Sequence, residues 1–247
     1  MTTTENESIQ IPVIAVGKGW LAVDKPAGIT VHNQPGRDLC TLVSTLIQKE
    51  PEIQRKMDVD PDFGVNPVHR LDKEASGVIL LAVDPKTFRF LSEQFESRQV
   101  KKRYVAVLHG RLETPEGDDS WRTWRWPLTK VAGGRRHPQG SGRRFSSETR
   151  YRILQRSTRY SMVEMEPLTG RKHQIRRHAK ISGHAVVGDA RYGSMRSVNY
   201  LRRNFAFDRL ALHACALTFH LPEGKDPETV ETPEIPHPIQ ALFEKEP

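Results

Sequence analysis

The sequence predicts an α+β protein: a single domain with a mixed, largely antiparallel sheet flanked by helices and loops. Three observations predict it. Apolar segments of strand length, each closed by turn residues, recur along the 247-residue chain. One segment shows helical spacing of apolar residues behind a capping signal, a second shows the spacing alone, and another two show the pattern of a hairpin. No internal repeat and no low-complexity linker divides the chain, and a chain of this length buries about 70–75% of its unfolded surface without disulfides or metals.

In order along the chain, residues 11–16, 20–23, 78–83 and 104–108 read as strands. Asp84 and Pro85 place a capping carboxylate ahead of a first-turn proline, and Phe88, Leu91 and Phe95 follow as the core stripe of a helix. Residues 133–142 form a polar, glycine-rich excursion, expected to be a mobile loop whose arginines reach a ligand. Residues 149–154 and 160–166 read as a hairpin, and 172–181 as a short helix stopped by Gly183. Residues 210–221 form a long strand, and 236–243, with Ile239, Leu242 and Phe243 at helical spacing, a terminal helix. The expected division is a disordered segment over 1–10 and one domain over 11–247.

Cys40 and Cys215 stand far apart with no ligand spacing around them, which argues against a disulfide framework and a structural zinc site. The N-terminus lacks a basic segment followed by an apolar run, and no 18-residue apolar stretch occurs. The expected location is therefore cytoplasmic, with no membrane association. The net charge of +8 is segregated: residues 121–209 hold 21 Lys/Arg against five acids (+16), and the remainder holds 17 against 25 (−8). A polyanion surface needs such segregation, because released counterions supply most nonspecific nucleic-acid affinity.

Two clusters could carry chemistry. In Val68-His69-Arg70-Leu71-Asp72-Lys73-Glu74-Ala75-Ser76-Gly77 a polar loop leads directly into the apolar run 78–83, so its groups hang from a rigid strand expected to be central. Asp72 alone would usually be a turn-former. In the second cluster, Thr169 and Gly170 make a turn, and the helix after it is expected to gather Arg171, Lys172, Arg176 and Arg177 on one cationic face. Such a face can fork onto phosphate or hold a carboxylate ionised.

The ordered set His69-Arg70-Leu71-Asp72, Ser76-Gly77, Lys102-Arg103-Tyr104-Val105-Ala106-Val107, Thr169-Gly170-Arg171-Lys172-His173-Gln174-Ile175-Arg176, Gly188-Asp189 and Tyr192-Gly193 resembles the RluA-type pseudouridine synthases. Asp24-Lys25-Pro26-Ala27-Gly28 and Arg209-Leu210-Ala211-Leu212-His213-Ala214 extend the resemblance over roughly residues 11–222. Ala75 and Ala185 replace a common Thr and a common Pro, and neither change removes a reacting group. The resemblance implies a pseudouridine synthase catalytic domain, without the S4-type RNA-binding domain of many members and closest to the TruC-like, tRNA-modifying branch, with large-subunit rRNA as the alternative target.

It also implies an isomerisation without cofactor or metal: the N1–C1′ bond of a uridine breaks, the base turns, and C5 rejoins C1′. Asp72 would start it as nucleophile or as base, Arg176 would pair with it, and Tyr104 would stack on the uracil and help remove the C5 proton. Arg70 would fill the space left by the flipped nucleotide. His69, Arg171, Lys172, His173 and Leu212 would line the substrate site. Arg135, Arg136, Arg143, Arg144, Arg202 and Arg203, expected in loops of the basic half, would contact phosphates. The expected partner is RNA, either tRNA or rRNA, bound by a monomer that needs no protein partner. Two rivals remain: a uracil-releasing glycosidase, for which Glu74 would be the second carboxylate, and a non-catalytic RNA-binding protein.

Overall fold

The computed structural model describes residues 9–113, 118 and 120–244. Most of the segment expected to be disordered, residues 1–8, lies outside that description. The elements are β1 (Val13–Gly17), β2 (Trp20–Lys25), α1 (Leu39–Lys49), α2 (Pro51–Met57), β3 (Asn66–Pro67), β4 (Ser76–Ala82), α3 (Pro85–Glu96), β5 (Lys101–His109), β6 (Arg122–Trp124), β7 (Leu128–Thr129) and β8 (Arg144–Phe145). They continue with β9 (Thr149–Arg156), β10 (Tyr160–Pro167), α4 (Gln174–Ile181), α5 (Met195–Phe205), β11 (Leu212–Phe219), β12 (Glu228–Glu231) and α6 (His237–Glu244). Ten strands make one sheet in the order β1-β2-β4-β11-β5-β10-β9-β6, with β3 added to β4 and β12 to β11. Every pairing in it is antiparallel except β4 with β11. β7 and β8 form a separate two-stranded arm.

Alternation along the strands divides the core. Leu21, Val23, Ile79 and Leu81 face the stripe Leu39, Val43 and Ile47 of α1, whereas Trp20, Ala22, Val78 and Leu80 face Leu91 of α3 together with Leu217 and Phe219. All seven residues of β4 are buried, which explains its unbroken apolar run and confirms its central place. The third core joins β5, β9, β10 and β11 to Ile175 and Ala179 of α4, Leu201 of α5, and Ile239, Leu242 and Phe243 of α6. Asp84 caps α3 as expected, its carboxylate accepting from the Thr87 N–H.

The parallel β4–β11 junction sets where the loop ahead of β4 ends. Gly77 has φ of +118°, and a Cβ there would lie 2.1 Å from the Ala214 carbonyl oxygen, so no other residue fits. The Ser76 hydroxyl bonds His213 Nδ1 at 2.8 Å and accepts from Arg209 Nη2 at 2.6 Å, while His213 Nε2 meets Thr232 Oγ1 at 2.9 Å. Burial holds His213 neutral, its pKa pushed down to about 4.

Two expectations change. The helix expected over 172–181 starts at Gln174, because His173 takes a left-handed conformation (φ +53°) that cannot continue a helix backwards. Arg202 and Arg203 lie in the last turn of α5, not in a loop. That helix buries only Val198 and Leu201, too sparse a stripe to stand out among its arginines. The 133–142 excursion is mostly exposed, with tight contacts at two glycines: a Cβ on Gly133 or Gly140 would lie 1.9 Å from the His137 carbonyl or the Thr129 hydroxyl.

Candidate active site

The loop over residues 68–75 joins β3 to β4, and α4 packs opposite it, so the two sequence clusters meet across a cavity of about 550 Å³. Asp72 Oδ2 accepts from Arg176 Nη1 at 3.0 Å. Glu74 Oε2 shares that nitrogen at 3.3 Å from a more exposed position, 56% against 22% for Asp72. The other edge of the Arg176 guanidinium forks onto Asp189, Nε to Oδ2 at 2.8 Å and Nη2 to Oδ1 at 2.9 Å. The N–H groups of Arg191 and Tyr192 bond Asp189 Oδ1 as well. Arg176 is therefore buried yet fully paired, and its pKa is raised: the carboxylates of Asp189 and Asp72 outweigh the cost of burial.

The approach of α4 is fixed by Gln174, which is buried at its first position. Its side-chain oxygen accepts from Thr169 Oγ1 (2.6 Å) and from the Arg171 N–H (3.1 Å), and its amide donates to the Glu148 carbonyl (2.8 Å) and Thr149 Oγ1 (3.0 Å). One amide thus ties the turn before α4 to the β8–β9 connection and to the start of β9. On the other side, Lys25 is buried and its Nζ donates to the Pro26, Ile29 and Lys73 carbonyls, while the Gly28 N–H also bonds Lys73 O. Burial pulls Lys25 down to about 8 against the opposing charges of Asp72 and Glu74. Lys25, Gln174, Asp189 and Tyr192 all stood inside recognised motifs, but only their contacts reveal what they hold.

A family model described as RNA pseudouridylate synthase matches residues 19–180, a span that includes this loop and nearly all of α4. The chain belongs to the RNA pseudouridylate synthase family. It is 34% identical over 234 residues to a tRNA pseudouridine synthase C of Pectobacterium carotovorum subsp. carotovorum, covering 90% of this chain and 58% of that protein. To a ribosomal large subunit pseudouridine synthase C of Vibrio parahaemolyticus it is 32% identical, covering 91% of this chain and 64% of the relative. The chain thus spans about three fifths of the length of these two relatives. The solved structure of human RNA pseudouridylate synthase domain containing 1 superposes with a TM-score of 0.68 at 25% identity, over 91% of this chain and 84% of that one.

In this chain, Tyr104 lies on β5 with its neighbours Met165 and Ala214 across the strands, and it lines the cavity with Leu212, Ile175 and Val68. Burial, with the Asp72 charge added, raises its phenol above the ordinary tyrosine range. His69 also lines the cavity, but its Nε2 accepts from the Leu80 N–H at 3.0 Å and its ring stacks on Phe95 at 4.5 Å. Burial pulls it down to about 3, so it shapes the loop as a neutral ring. Arg70 is exposed at the rim and has no ion-pair partner among the described residues.

His173 points towards the Asp72–Arg176 pair, its Nε2 3.7 Å from Asp72 Oδ1 and its Nδ1 3.0 Å from the Tyr192 hydroxyl. Arg171 lies 5.2 Å over the Phe145 ring, and its buried Nε has no hydrogen-bond partner among the described residues, a free donor on the cavity wall. Lys172 is exposed at the same rim. The single cationic face expected for 171–177 does not form. Arg171 and Lys172 precede the helix, Arg176 turns to the carboxylates, and Arg177 turns the other way into the arm. Arg135, Arg136, Arg143 and Arg144 are exposed in that arm, whereas Arg202 and Arg203 are exposed on α5, in a separate element.

Proposed function

We propose that the protein is an RNA pseudouridine synthase that isomerises specific uridines of tRNA or large-subunit rRNA. The observation that carries this reading is the Asp72–Arg176 pair, 3.0 Å apart, on a cavity wall within a family whose description names that activity. Asp72 opens the N1–C1′ bond either by attacking C1′ or by removing a sugar proton to give a glycal. Either route uses a positioned carboxylate, and Arg176, itself clamped by Asp189, supplies the positioning. The uracil turns within the cavity, C5 bonds to C1′, the C5 proton leaves and the freed N1 takes up a proton, so atoms and charge balance without a co-reactant.

Tyr104, Leu212 and Ile175 form a wall against which the flipped base packs. Burial keeps the phenol of Tyr104 uncharged in this wall, which suits packing against the base. Arg70, unpaired and exposed, is suited to enter the stack that the uridine vacates. Glu74 accepts from Arg176, which suits an acceptor and not the proton donor that a glycosidase requires. The enzyme is read as a single domain over 11–247, a cytoplasmic monomer that needs no protein partner; among the described residues no helix is long and apolar enough to cross a membrane.

Mapping pseudouridine in total RNA from cells with and without the gene tests the reading. Sites that vanish, and return with wild type but not with Asp72→Asn, identify the substrate. An unchanged map, or free uracil released from RNA by the purified protein, overturns it.

A further inference from the structure

The helix α4 carries a second buried guanidinium that the chemistry of Asp72 does not use. Arg177 has no carboxylate partner among the described residues, yet all five of its N–H donors are engaged. Nε donates to the Pro138 carbonyl at 2.6 Å, Nη1 to those of Thr129 (3.1 Å) and Lys172 (3.2 Å), and Nη2 to Thr129 Oγ1 (3.1 Å) and the Gln139 carbonyl (2.5 Å). A charge so buried is tolerated only because each donor is satisfied, so the carbonyls must stay where they are.

Four of the five acceptors belong to one segment, the arm formed by β7, the 130–143 loop and β8. A second arginine grips it from outside: Arg191 Nε bonds the Gly133 carbonyl at 3.2 Å, and its Nη2 bonds the carbonyls of Ala132 and Gly133 at 3.2 and 3.1 Å. Arg191 also gives its backbone N–H to Asp189, the clamp of Arg176. Both grips therefore start beside the catalytic guanidinium and end in the arm. Between residues 130 and 145 the arm exposes Lys130, Arg135, Arg136, Arg143 and Arg144 and contains no acid. At its base the Phe145 ring lies 5.4 Å from the Arg143 guanidinium and 5.2 Å from that of Arg171, which lines the cavity.

We propose that Arg177 and Arg191 are positioning residues that hold the 128–145 arm as a preformed cationic jaw beside the cavity, so that phosphates flanking the target uridine meet fixed guanidiniums. This rests on the RNA reading above and deepens it. A preorganised jaw lowers the ordering cost of binding and leaves the bond chemistry alone, so its loss appears in KM and not in kcat.

The test compares Arg177→Met, Arg191→Met, the pair Arg135→Ala/Arg136→Ala and their combinations in the full chain. RNA extracted from cells lacking the gene is the substrate, with hydrogen–deuterium exchange over residues 130–143 as a second readout. Expected are faster exchange in the loop and KM raised about three- to tenfold, with kcat within about twofold of wild type. The KM effect should be largely absent in the Arg135→Ala/Arg136→Ala background. Arg191 is exposed, so Arg191→Met decides the matter if Arg177→Met does not fold. Unchanged exchange, an unchanged KM, or a fall in kcat alone overturns the proposal. If the wild type makes no pseudouridine, the catalytic reading fails by itself, and exchange together with retention of the same RNA on the protein decides the jaw.

Discussion

Arg176 and Arg177 are consecutive, both buried and both held by several hydrogen bonds, yet they serve two different regions. Arg176 faces the 68–75 loop and is held by carboxylates, so its charge is neutralised and its burden is electrostatic. Arg177 faces the arm and is held by carbonyls, so its charge stays formally uncompensated and its work is geometric. Burial accordingly lowers the pKa of Arg177, whereas paired carboxylates raise that of Arg176. The difference shows how one short helix can present an anion-paired chemical centre on one side and a backbone-bound scaffold on the other.

The largest effect should come from removing the reacting group on the Arg176 side. Asp72→Asn is expected to lower single-turnover pseudouridine formation by about 10⁴-fold or more, with little change in melting temperature because Asp72 is partly exposed. Retained turnover would place the chemistry elsewhere. Next comes Arg176→Met, which strands the buried Asp189 carboxylate and should cost about 3–5 kcal/mol of stability, read by denaturant unfolding, in addition to activity. A variant of unchanged stability would mean that Asp189 finds other partners and that the clamp is not what distinguishes the two arginines.

Acid should strain both regions through separate histidines. His213 meets Ser76 at the end of the 68–75 loop, and His178 meets Ser147 and the Trp126 carbonyl beside the arm; burial holds each near 4 instead of 6.5. Because the unfolded chain takes up these protons first, the stabilisation is complete above pH 6.5 and is lost as pH falls towards 4. About 3 kcal/mol per histidine is the upper scale. Melting temperatures measured from pH 7 to 4 should fall, and His213→Gln should flatten part of that slope; an equally steep slope would assign the acid sensitivity elsewhere.

Smaller still, Arg70→Ala should slow turnover about tenfold on folded RNA, where unstacking costs a few kcal/mol, and less on a short unstructured oligonucleotide. Equal loss on both substrates would remove the nucleotide-flipping role. The least effect is expected from Arg202→Ala or Arg203→Ala, which stand on α5 outside the arm. Each should change KM by less than about twofold and lower the salt slope of RNA binding by about 1 at most. A larger change would extend the RNA contact surface from the arm to α5.

Much of the frame was legible in the sequence, because it rests on local rules. Apolar runs of strand length marked β2 and β4, the unbroken run over 78–83 placed β4 at the centre, and Asp84 with Pro85 marked the start of α3. The order of the motifs around Asp72, Tyr104 and Arg176 was enough to name the family and the residues meeting in its cavity. The start of α4 was not legible, since a left-handed His173 follows from its surroundings and not from any propensity of histidine. Nor was the direction of each arginine in 171–177, where side chains one residue apart diverge and identical guanidiniums find different partners.

Only the tertiary structure decided those partners. Asp72 and Arg176 lie 104 residues apart, Ser76 and His213 lie 137 apart, and Arg177 reaches carbonyls 38 to 48 residues away. Polar partners so distant leave no periodic trace, because a buried charge is satisfied by whichever acceptors the packed backbone brings to it. The sequence by itself therefore determined the family frame and singled out Asp72 with Arg176 as its expected partner, and folding decided that Asp189 clamps Arg176 and that Arg177 holds the arm.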